Sequence, residues 1–334
     1  MRLLYIASGI PSLADLDPNL INGFQMLTKQ RPDFQATVFQ PKKQPIQRLF
    51  HLVRKFRPDS LFSLRGQLPT AAVWRLRNMG YPIALYIVDD PYSYTNHLKM
   101  AKPYSCIITQ DAGAVPYYQR RGIPSLHLPL AVNPSKYRPQ LINDRYRSDI
   151  CFVGSATDAR VAMIDRMAGL LEQHRFRLIG RWWDRLRHYK DWKDRIINHP
   201  LPADEVARYY SGAKIVWNFH RASDDVNRNP QKIPACTPNN KTFEIAACGA
   251  FQLISHRRDL GKYYRINQEI VSFRGLAELE RKTRYYLQHD AIREGMARKA
   301  RMRTMKDHTY RVRLTEFLRD WKAIQPRLRR RAAR

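Results

Sequence analysis

Asn239-Asn-Lys-Thr-Phe-Glu-Ile-Ala-Ala-Cys-Gly-Ala-Phe-Gln-Leu-Ile-Ser255 gives the clearest indication of how this chain folds. Either of its first two asparagines can cap a helix that begins near Lys241, and Gly249 can end that helix. The apolar residues 251–254 then predict a buried strand. A helix that leads directly into a buried strand is typical of a doubly wound α/β sheet.

Apolar, β-branched runs alternate with amphipathic stretches on both sides of this segment. The predicted strands are residues 2–7, 36–39, 60–64, 83–88, 106–109, 150–153, 177–179, 215–219, 251–254 and 269–272. The predicted helices lie near residues 20–29, 46–56, 70–79, 160–173, 203–211 and 242–248. The strand–helix–strand series occurs twice, so the sequence predicts an α/β protein with two Rossmann-like, doubly wound domains.

The proline-rich segment 128–139 interrupts both periodicities and is interpreted as an interdomain crossing. We place an N-terminal domain at residues 1–145 and a C-terminal domain at residues 146–305. A length of 334 residues suits two hydrophobic cores better than one. Residues 306–334 are predicted to be a C-terminal helix with a frayed basic tail after Pro326.

The composition excludes several classes of protein. No stretch approaches the roughly 18 apolar residues that a membrane-spanning helix needs, and residues 1–8 are too short an apolar run for a signal peptide. The four cysteines are far apart and form no Cys-x-x-Cys pair, and the ten histidines are scattered. These observations predict a cytoplasmic protein without a zinc site or disulfides.

The net charge is the unusual quantity, because 59 Lys and Arg against 29 Asp and Glu give +30. Such a charge predicts an anionic partner. Nucleic acid, anionic lipid headgroups, an anionic acceptor polymer and the diphosphate of a sugar donor are all compatible with it. The alternative is a proteome in which all surfaces are basic.

The start of the helix near Lys241 is the first candidate for a binding site. Unpaired N–H groups and a partial positive charge at a helix N-terminus stabilise a diphosphate, and Lys241 adds a full charge. Glu244 follows within the first turn, where it can accept hydrogen bonds from sugar hydroxyls. It can equally be a first-turn carboxylate that stabilises the helix.

The segment Asn240-Lys-Thr-Phe-Glu-Ile-Ala-Ala-Cys-Gly-Ala-Phe-Gln-Leu253, with Ile87-Val-Asp-Asp-Pro91 and His308-Thr-Tyr-Arg311, resembles the glycosyltransferases similar to spore maturation protein CgeB. Asp149-Ile-Cys-Phe-Val-Gly-Ser155 and residues 209–220 extend the likeness over most of the chain. The resemblance implies the GT-B fold, in which two domains face each other across a cleft. The C-terminal domain would hold the nucleotide sugar and the N-terminal domain the acceptor.

The same resemblance implies a donor site in the second domain. Glu244 matches the glutamate expected to hold the ribose, and Lys241 stands where an arginine is commoner. Asn240 and Thr242 flank Lys241 and are included in the predicted site. Relatives in the wider fold carry a second glutamate where this chain has Cys236, which leaves the donor sugar and the stereochemical course open.

Three further donor-side candidates follow strands of the second domain. Gly154 and Ser155 resemble a phosphate-side loop. Arg160 is either a diphosphate clamp or a surface arginine. His220 is either a polar contact to the donor or the end of a strand.

Asp90 follows an apolar strand in the first domain and is the candidate general base for the acceptor hydroxyl. A turn before Pro91 is the alternative, and Asp111 is an equally placed rival. The one Asp-x-Asp, Asp15-Leu-Asp17, lies in a proline-flanked loop and not against a strand. We therefore expect no metal and no cofactor, with the nucleotide sugar as substrate. The absence of G-x-G-x-x-G and Walker loops argues against dehydrogenases and ATPases.

These patterns predict a glycosyltransferase that moves a sugar from a nucleoside diphosphate such as UDP to a hydroxyl acceptor. The acceptor class left open includes a cell-surface glycan, a lipid intermediate and DNA. The alternative is a non-catalytic protein that binds nucleic acid or an anionic polymer through basic and aromatic clusters, residues 117–121 and 181–183. The amphipathic segment 46–57 suits either peripheral contact with an anionic membrane, at its inner face, or a helix that covers the sheet.

Overall fold

The chain divides into two compact units in the computed structural model, which describes residues 1–10, 15–222 and 229–332, with side chains to residue 328. The first unit comprises Met1–Leu130, Val226–Ala235 and Tyr310–Arg334. The second comprises Ala131–Asp225 and Cys236–Thr309. Each unit is built on its own parallel sheet.

The first unit contains a parallel sheet in the order β2-β1-β3-β4-β5-β6. Its elements are β1 (Arg2–Ile6), α1 (Leu16–Gln30), β2 (Gln35–Phe39), α2 (Ile46–Phe56), β3 (Ser60–Leu64), α3 (Thr70–Asn78), β4 (Ile83–Ile87), α4 (Tyr94–Ala101), β5 (Cys106–Thr109), α5 (Val115–Gln119) and β6 (Ser125–His127). The inner strands β1, β3, β4 and β5 are buried on both faces, as expected for a parallel sheet covered by helices.

The second unit contains a parallel sheet in the order β12-β11-β10-β7-β8-β9. Its elements are β7 (Ser148–Val153), α6 (Asp158–Arg166), α7 (Ala168–Glu172), β8 (Phe176–Ile179), β9 (Ile196–Ile197), α8 (Ala203–Gly212), β10 (Ala213–Asn218), α9 (Asn240–Ala247), β11 (Gln252–Ser255), α10 (Leu260–Tyr263), β12 (Val271–Phe273), α11 (Leu276–Leu287) and α12 (Asp290–Asp307). The central strands β7, β10 and β11 are neighbours, so their carboxyl ends meet at one edge of the sheet.

The last helix, α13 (Tyr310–Ala332), returns to the first unit. The ring of Phe317 packs edge-on against that of Phe62 of β3, with centroids 5.2 Å apart. Trp321 is buried and donates a hydrogen bond to Ser60 Oγ at 2.9 Å. The C-terminal segment is therefore part of the first unit's core.

The predicted α/β architecture of two Rossmann-like units is confirmed, whereas some local expectations differ from the structure. The first stretch of the first unit ends at Leu130, whereas the sequence analysis sets the domain boundary at 145/146. The helix α13 continues through Pro326 to Ala332, so the described part of the predicted frayed tail is helical. Burial of Leu328 beyond the proline explains why packing overrides the local tendency to break.

Two differences concern the helices. The single helix predicted over residues 160–173 is two helices, α6 and α7, which meet at Met167. The short helices α4 and α5 were not predicted from the pattern. Among the described residues, no helix combines the length and the apolar character needed to cross a membrane.

Candidate active site

A network of buried amide groups fixes the N-terminus of α9. The Asn239 side chain caps the helix, and its Oδ1 accepts hydrogen bonds from the Thr242 backbone N–H and hydroxyl, both at 3.0 Å. Asn239 Nδ2 donates to Asn218 Oδ1 at 2.9 Å. Asn218 Nδ2 donates to Thr242 Oγ1 and to Gln252 Oε1, both at 3.1 Å. The start of α9 is thereby tied to β10 and β11.

The structure decides between the two asparagines that the sequence offered as caps. Asn239 is the cap, and Asn240 begins the helix and donates to Glu244 Oε1 at 2.7 Å. Asn240 therefore orients the Glu244 carboxylate. Gly249 has a φ of 71° just after the helix, so it ends α9 as predicted.

The first turn of α9 carries Lys241, which is half-buried. Burial lowers the pKa of its ammonium group, Glu244 opposes that shift, and Arg160 adds to it. The effect of Arg160 means that two cationic groups lie close to each other beside the helix N-terminus. Like charges that crowd together in a partly buried place favour a bound anion.

Arg160 braces the loops that follow β7 and β10. Its Nη1 donates to the Ser155 carbonyl at 2.9 Å, and its Nη2 donates to the Phe219 carbonyl at 2.8 Å. A Cβ atom at position 154 would lie 3.2 Å from Arg160 Nη1 and 3.1 Å from the Phe152 ring. These distances are shorter than a Cβ atom normally allows, which explains why the residue is a glycine. Arg160 therefore keeps its charge near Lys241 while its N–H groups hold the two loops together.

His220 lies two residues after the end of β10. Its Nδ1 lies 2.8 Å from the Ser255 carbonyl oxygen, which can only accept, so Nδ1 carries the proton. Its Nε2 is then an acceptor, shielded from solvent and without a hydrogen-bond partner among the described residues. Burial lowers the pKa of the imidazole well below its usual range, and Arg257 and Arg160 lower it further.

Arg257 is a site residue that the sequence analysis did not single out. It follows β11 by two positions, donates to the carbonyl of Arg221, and depresses the pKa of His220. Arg160, His220, Lys241 and Arg257 thus gather beyond the carboxyl ends of β7, β10 and β11. An arginine three positions after the predicted strand 251–254 was the signal available for it in the sequence.

The loop after β8 presents an exposed aromatic ring beside the loop after β7. Trp182 is 55% exposed and has a φ of 68°, whereas Trp183 is buried and donates to the Gly154 carbonyl at 3.0 Å. A Cβ on Gly180 would lie 2.2 Å from the same carbonyl oxygen, so the two loops are in close contact. Of the predicted aromatic pair, Trp182 is the ring that a ligand can reach.

Thr242 has a different position from the one predicted for a donor ligand. Its side chain is fully buried, and its hydroxyl bonds Asn239 and Asn218. Its backbone N–H is taken by the cap. Thr242 therefore supports the helix from inside, and Cys236, at the position of the second glutamate of wider relatives, is also buried.

Asp90, in the first unit, is fully buried and bonded within the protein. Its Oδ1 lies 2.6 Å from His97 Nδ1, and Tyr118 OH donates to Oδ2 at 3.0 Å. Arg65 Nη1 lies 3.0 Å from His97 Nε2, and a guanidinium can only donate, so Nδ1 of His97 carries the proton that Asp90 accepts. The carboxylate anchors α4 and α5, an arrangement in which it does not reach an acceptor hydroxyl.

Asp111 and Asp17 also hold loops. Asp111 is 3% exposed, and its Oδ1 accepts from the Gly113 N–H at 2.8 Å. Asp17, from the Asp-x-Asp, accepts from the backbone N–H groups of Ser8 and Gly9 at 2.9 Å each and closes the loop after β1. No group of three His, Cys, Asp or Glu side chains among the described residues could hold a metal ion.

Comparisons with known proteins show which sequences and folds this chain resembles. Residues 160–319 match a family model described as glycosyl transferase-like. The chain is 27% identical over 251 residues to the spore protein CgeB of Bacillus subtilis (strain 168). The aligned region covers 73% of this chain and 77% of that protein. The predicted resemblance to CgeB is confirmed.

Solved structures share the fold. Sucrose-phosphate synthase (tll1590) from Thermosynechococcus elongatus superimposes with a TM-score of 0.66 at 12% identity, over 97% of this chain and 99% of that chain. Anabaena Alr3699/HepE in complex with UDP-glucose gives 0.63 at 11% identity, over 97% and 100%. The fold is that of the GT-B glycosyltransferases, and the comparisons together support a glycosyltransferase.

A first prediction concerns Asp90. Asp90→Asn replaces a buried carboxylate that accepts hydrogen bonds from His97 and Tyr118, so we expect the free energy of unfolding of the first unit to fall by about 2 kcal/mol. The neighbouring Asp89→Asn removes a half-exposed partner of Arg65 and should change it by less than about 0.5 kcal/mol. Calorimetric unfolding of both variants measures the difference. An Asp90→Asn protein that keeps its stability and loses only sugar transfer would contradict the structural role.

A second prediction concerns pH. Because the folded protein resists protonation of His220, the unfolded chain binds more protons below its pKa of about 6.5, and stability falls as pH decreases from there. The slope attributable to this group is at most about 1.4 kcal/mol per pH unit. Urea unfolding across this pH range should show a shallower decline for His220→Gln than for wild type. His51→Gln, at an exposed position, is the control, and equal slopes in all three proteins would contradict the assignment.

Proposed function

We propose that this chain, as its likeness to CgeB and to the glycosyl transferase-like family suggests, transfers a sugar from a nucleoside diphosphate to a hydroxyl group of an acceptor. The observation that carries the proposal is the N-terminus of α9, where the Asn239 cap fixes the first turn, Lys241 lies within that turn and Arg160 adds a second positive charge. A diphosphate is the ligand that these features fit.

The electrostatics favour this ligand over a neutral one. The first N–H groups of a helix lack intrahelical partners and carry a partial positive charge. Burial and Arg160 both lower the pKa of Lys241, so the surroundings of its ammonium group disfavour the charged form. A bound diphosphate would offset the cost of burying the Lys241 charge and the repulsion from Arg160. It would thereby restore the pKa of the ammonium group toward its usual range.

The same groups support departure of the diphosphate without a metal ion. As the bond between the sugar and the β-phosphate breaks, negative charge develops on the leaving oxygen. Preorganised cations and helix N–H groups stabilise that charge directly. In this proposal Lys241 contacts the phosphates, and Arg160 acts through its charge while it holds the loops after β7 and β10.

We assign the nucleoside to Glu244 and Trp182. Glu244 lies one turn into α9, Asn240 orients its carboxylate through Oε1, and a carboxylate can accept hydrogen bonds from ribose hydroxyls. The exposed ring of Trp182 offers a face for the base. Anabaena HepE was solved with UDP-glucose, which makes uridine the first base to test.

His220 is proposed to face the sugar. Its Nε2 has an unused lone pair and no partner among the described residues, so it can accept a hydrogen bond from a hydroxyl group. Cys236 supplies no carboxylate where wider relatives have one. His220 therefore offers a neutral acceptor close to the cationic groups.

The acceptor is assigned to the first unit. Asp90 and Asp111 are proposed to shape that region from within, since each carboxylate is buried and bonded to protein groups. An acceptor that is itself anionic fits the net charge of +30. The step breaks the bond from the sugar carbon to the β-phosphate oxygen and forms one to the acceptor oxygen; the nucleoside diphosphate leaves, and the hydroxyl proton passes to water.

A third prediction separates the two halves of the donor site by ligand. Lys241→Ala should weaken binding of both UDP and inorganic pyrophosphate by about 10- to 100-fold, the range for a lost hydrogen bond to a charged group. Glu244→Ala should weaken UDP by about tenfold and leave pyrophosphate unchanged, because it contacts only the ribose. Isothermal titration calorimetry measures both ligands on each variant.

The control is Lys299→Ala, which removes the same charge from an exposed position on α12. It should leave both affinities within about twofold of wild type, because a distant exposed charge is screened by salt. Titration with guanosine and thymidine diphosphates then ranks the bases. Unchanged UDP affinity in both site variants would contradict the assigned pocket.

A further inference from the structure

The outer surfaces of α2 and α3 carry a concentration of positive charge. Residues 41–80 contain nine Lys and Arg but a single acid, Asp59. Leu49 and Val53 of α2 and Val73 and Leu76 of α3 are buried against the sheet. The polar sides of both helices consequently point away from the core.

The two helices lie side by side. The Arg75 guanidinium of α3 lies over the Phe50 ring of α2, 4.4 Å from its centroid. Arg77 lies over the Trp74 ring of the same helix at 4.7 Å. We call the exposed face formed by Arg48, Arg54, Lys55, Trp74 and Arg75 the α2–α3 surface.

The cationic side chains of the α2–α3 surface are among the basic residues of the chain that have no carboxylate partner. Among the described residues, no Asp or Glu oxygen lies within 4.0 Å of the cationic groups of Arg48, Arg54, Lys55 or Arg75. On α11, α12 and α13, by contrast, many basic side chains are paired within the protein. These pairs are Lys282–Glu278, Arg284–Glu280, Arg293–Asp290, Arg298–Glu294, Arg303–Asp307, Arg313–Glu316 and Arg319–Asp320.

Exposed apolar side chains accompany these charges. Trp74 is 43% exposed and Met79, just after α3, is 44% exposed. Tryptophan beside lysine and arginine suits the headgroup layer of a bilayer, where the ring is partly buried and the cations meet lipid phosphates. The phosphodiester backbone of a nucleic acid would contact the basic side chains but would leave Trp74 and Met79 exposed to water.

We propose that the α2–α3 surface binds a membrane that contains anionic phospholipids. Arg48, Arg54, Lys55 and Arg75 contact the headgroup phosphates, and Trp74 enters the headgroup layer. This binding goes beyond sugar transfer and would bring the enzyme to acceptors carried on a membrane. It does not depend on the assigned donor site.

The test is flotation of the full chain with vesicles of phosphatidylcholine mixed with phosphatidylserine, compared with vesicles of phosphatidylcholine alone. We expect binding only to the anionic vesicles, and weaker binding as salt increases. The triple variant Arg48→Gln, Arg54→Gln, Lys55→Gln should lose about 100-fold in affinity, roughly fivefold for each charge. The matched control is Arg281→Gln, Lys299→Gln, Lys306→Gln, which removes the same charge from exposed positions in the second unit and should bind as wild type does.

Two further measurements complete the design. Trp74→Ser keeps every charge and should still bind less tightly, which separates the apolar contact from the electrostatic one. Binding to duplex DNA is measured with the same proteins. Equal affinity for both vesicle types, an equal loss in the control triple variant, or binding to DNA without binding to vesicles would each overturn the proposal.

Discussion

The site depends on one constraint, the amide network that joins Asn218, Asn239, Thr242 and Gln252. Each of these side chains is at least partly shielded from water, and each bonds the next, so α9 can begin only at the carboxyl edge of β10 and β11. Partly satisfied polar networks are costly inside a protein, whereas satisfied ones specify a single arrangement. The first turn of α9 is therefore presented at a fixed place, and Lys241, Glu244 and the helix N–H groups follow from it.

The cationic groups around that helix end are arranged at a cost to the folded protein. Burial and mutual repulsion lower the pKa of Lys241 and of His220. Binding sites commonly contain groups with such shifted pKa values. A ligand of opposite charge restores the stability that the folded protein loses by burying these charges close together. The carboxylates of the first unit show the opposite arrangement. Asp90 and Asp17 are saturated by hydrogen bonds and hold loops, so they add rigidity and present no free charge.

Much of this architecture follows from local sequence. Strand and helix periods fixed the order of elements, and the Asn–Asn pair with Gly249 predicted the start and end of α9. Contacts between distant residues were beyond such reasoning. The burial of Asp90 depends on Tyr118, 28 residues away, and the continuation of α13 through Pro326 depends on packing against the first unit. The positions of Arg257 and the exposed Trp182 at the site could not be predicted, because they depend on how the fold brings the ends of β8 and β11 together.

The most direct test of the account is a crystal structure of this protein with UDP bound. We expect the diphosphate oxygens within hydrogen-bonding distance of Lys241 Nζ and of the first N–H groups of α9, with the ribose hydroxyls on the Glu244 carboxylate. A nucleotide bound elsewhere in the chain, with the N-terminus of α9 open only to solvent, would contradict the account.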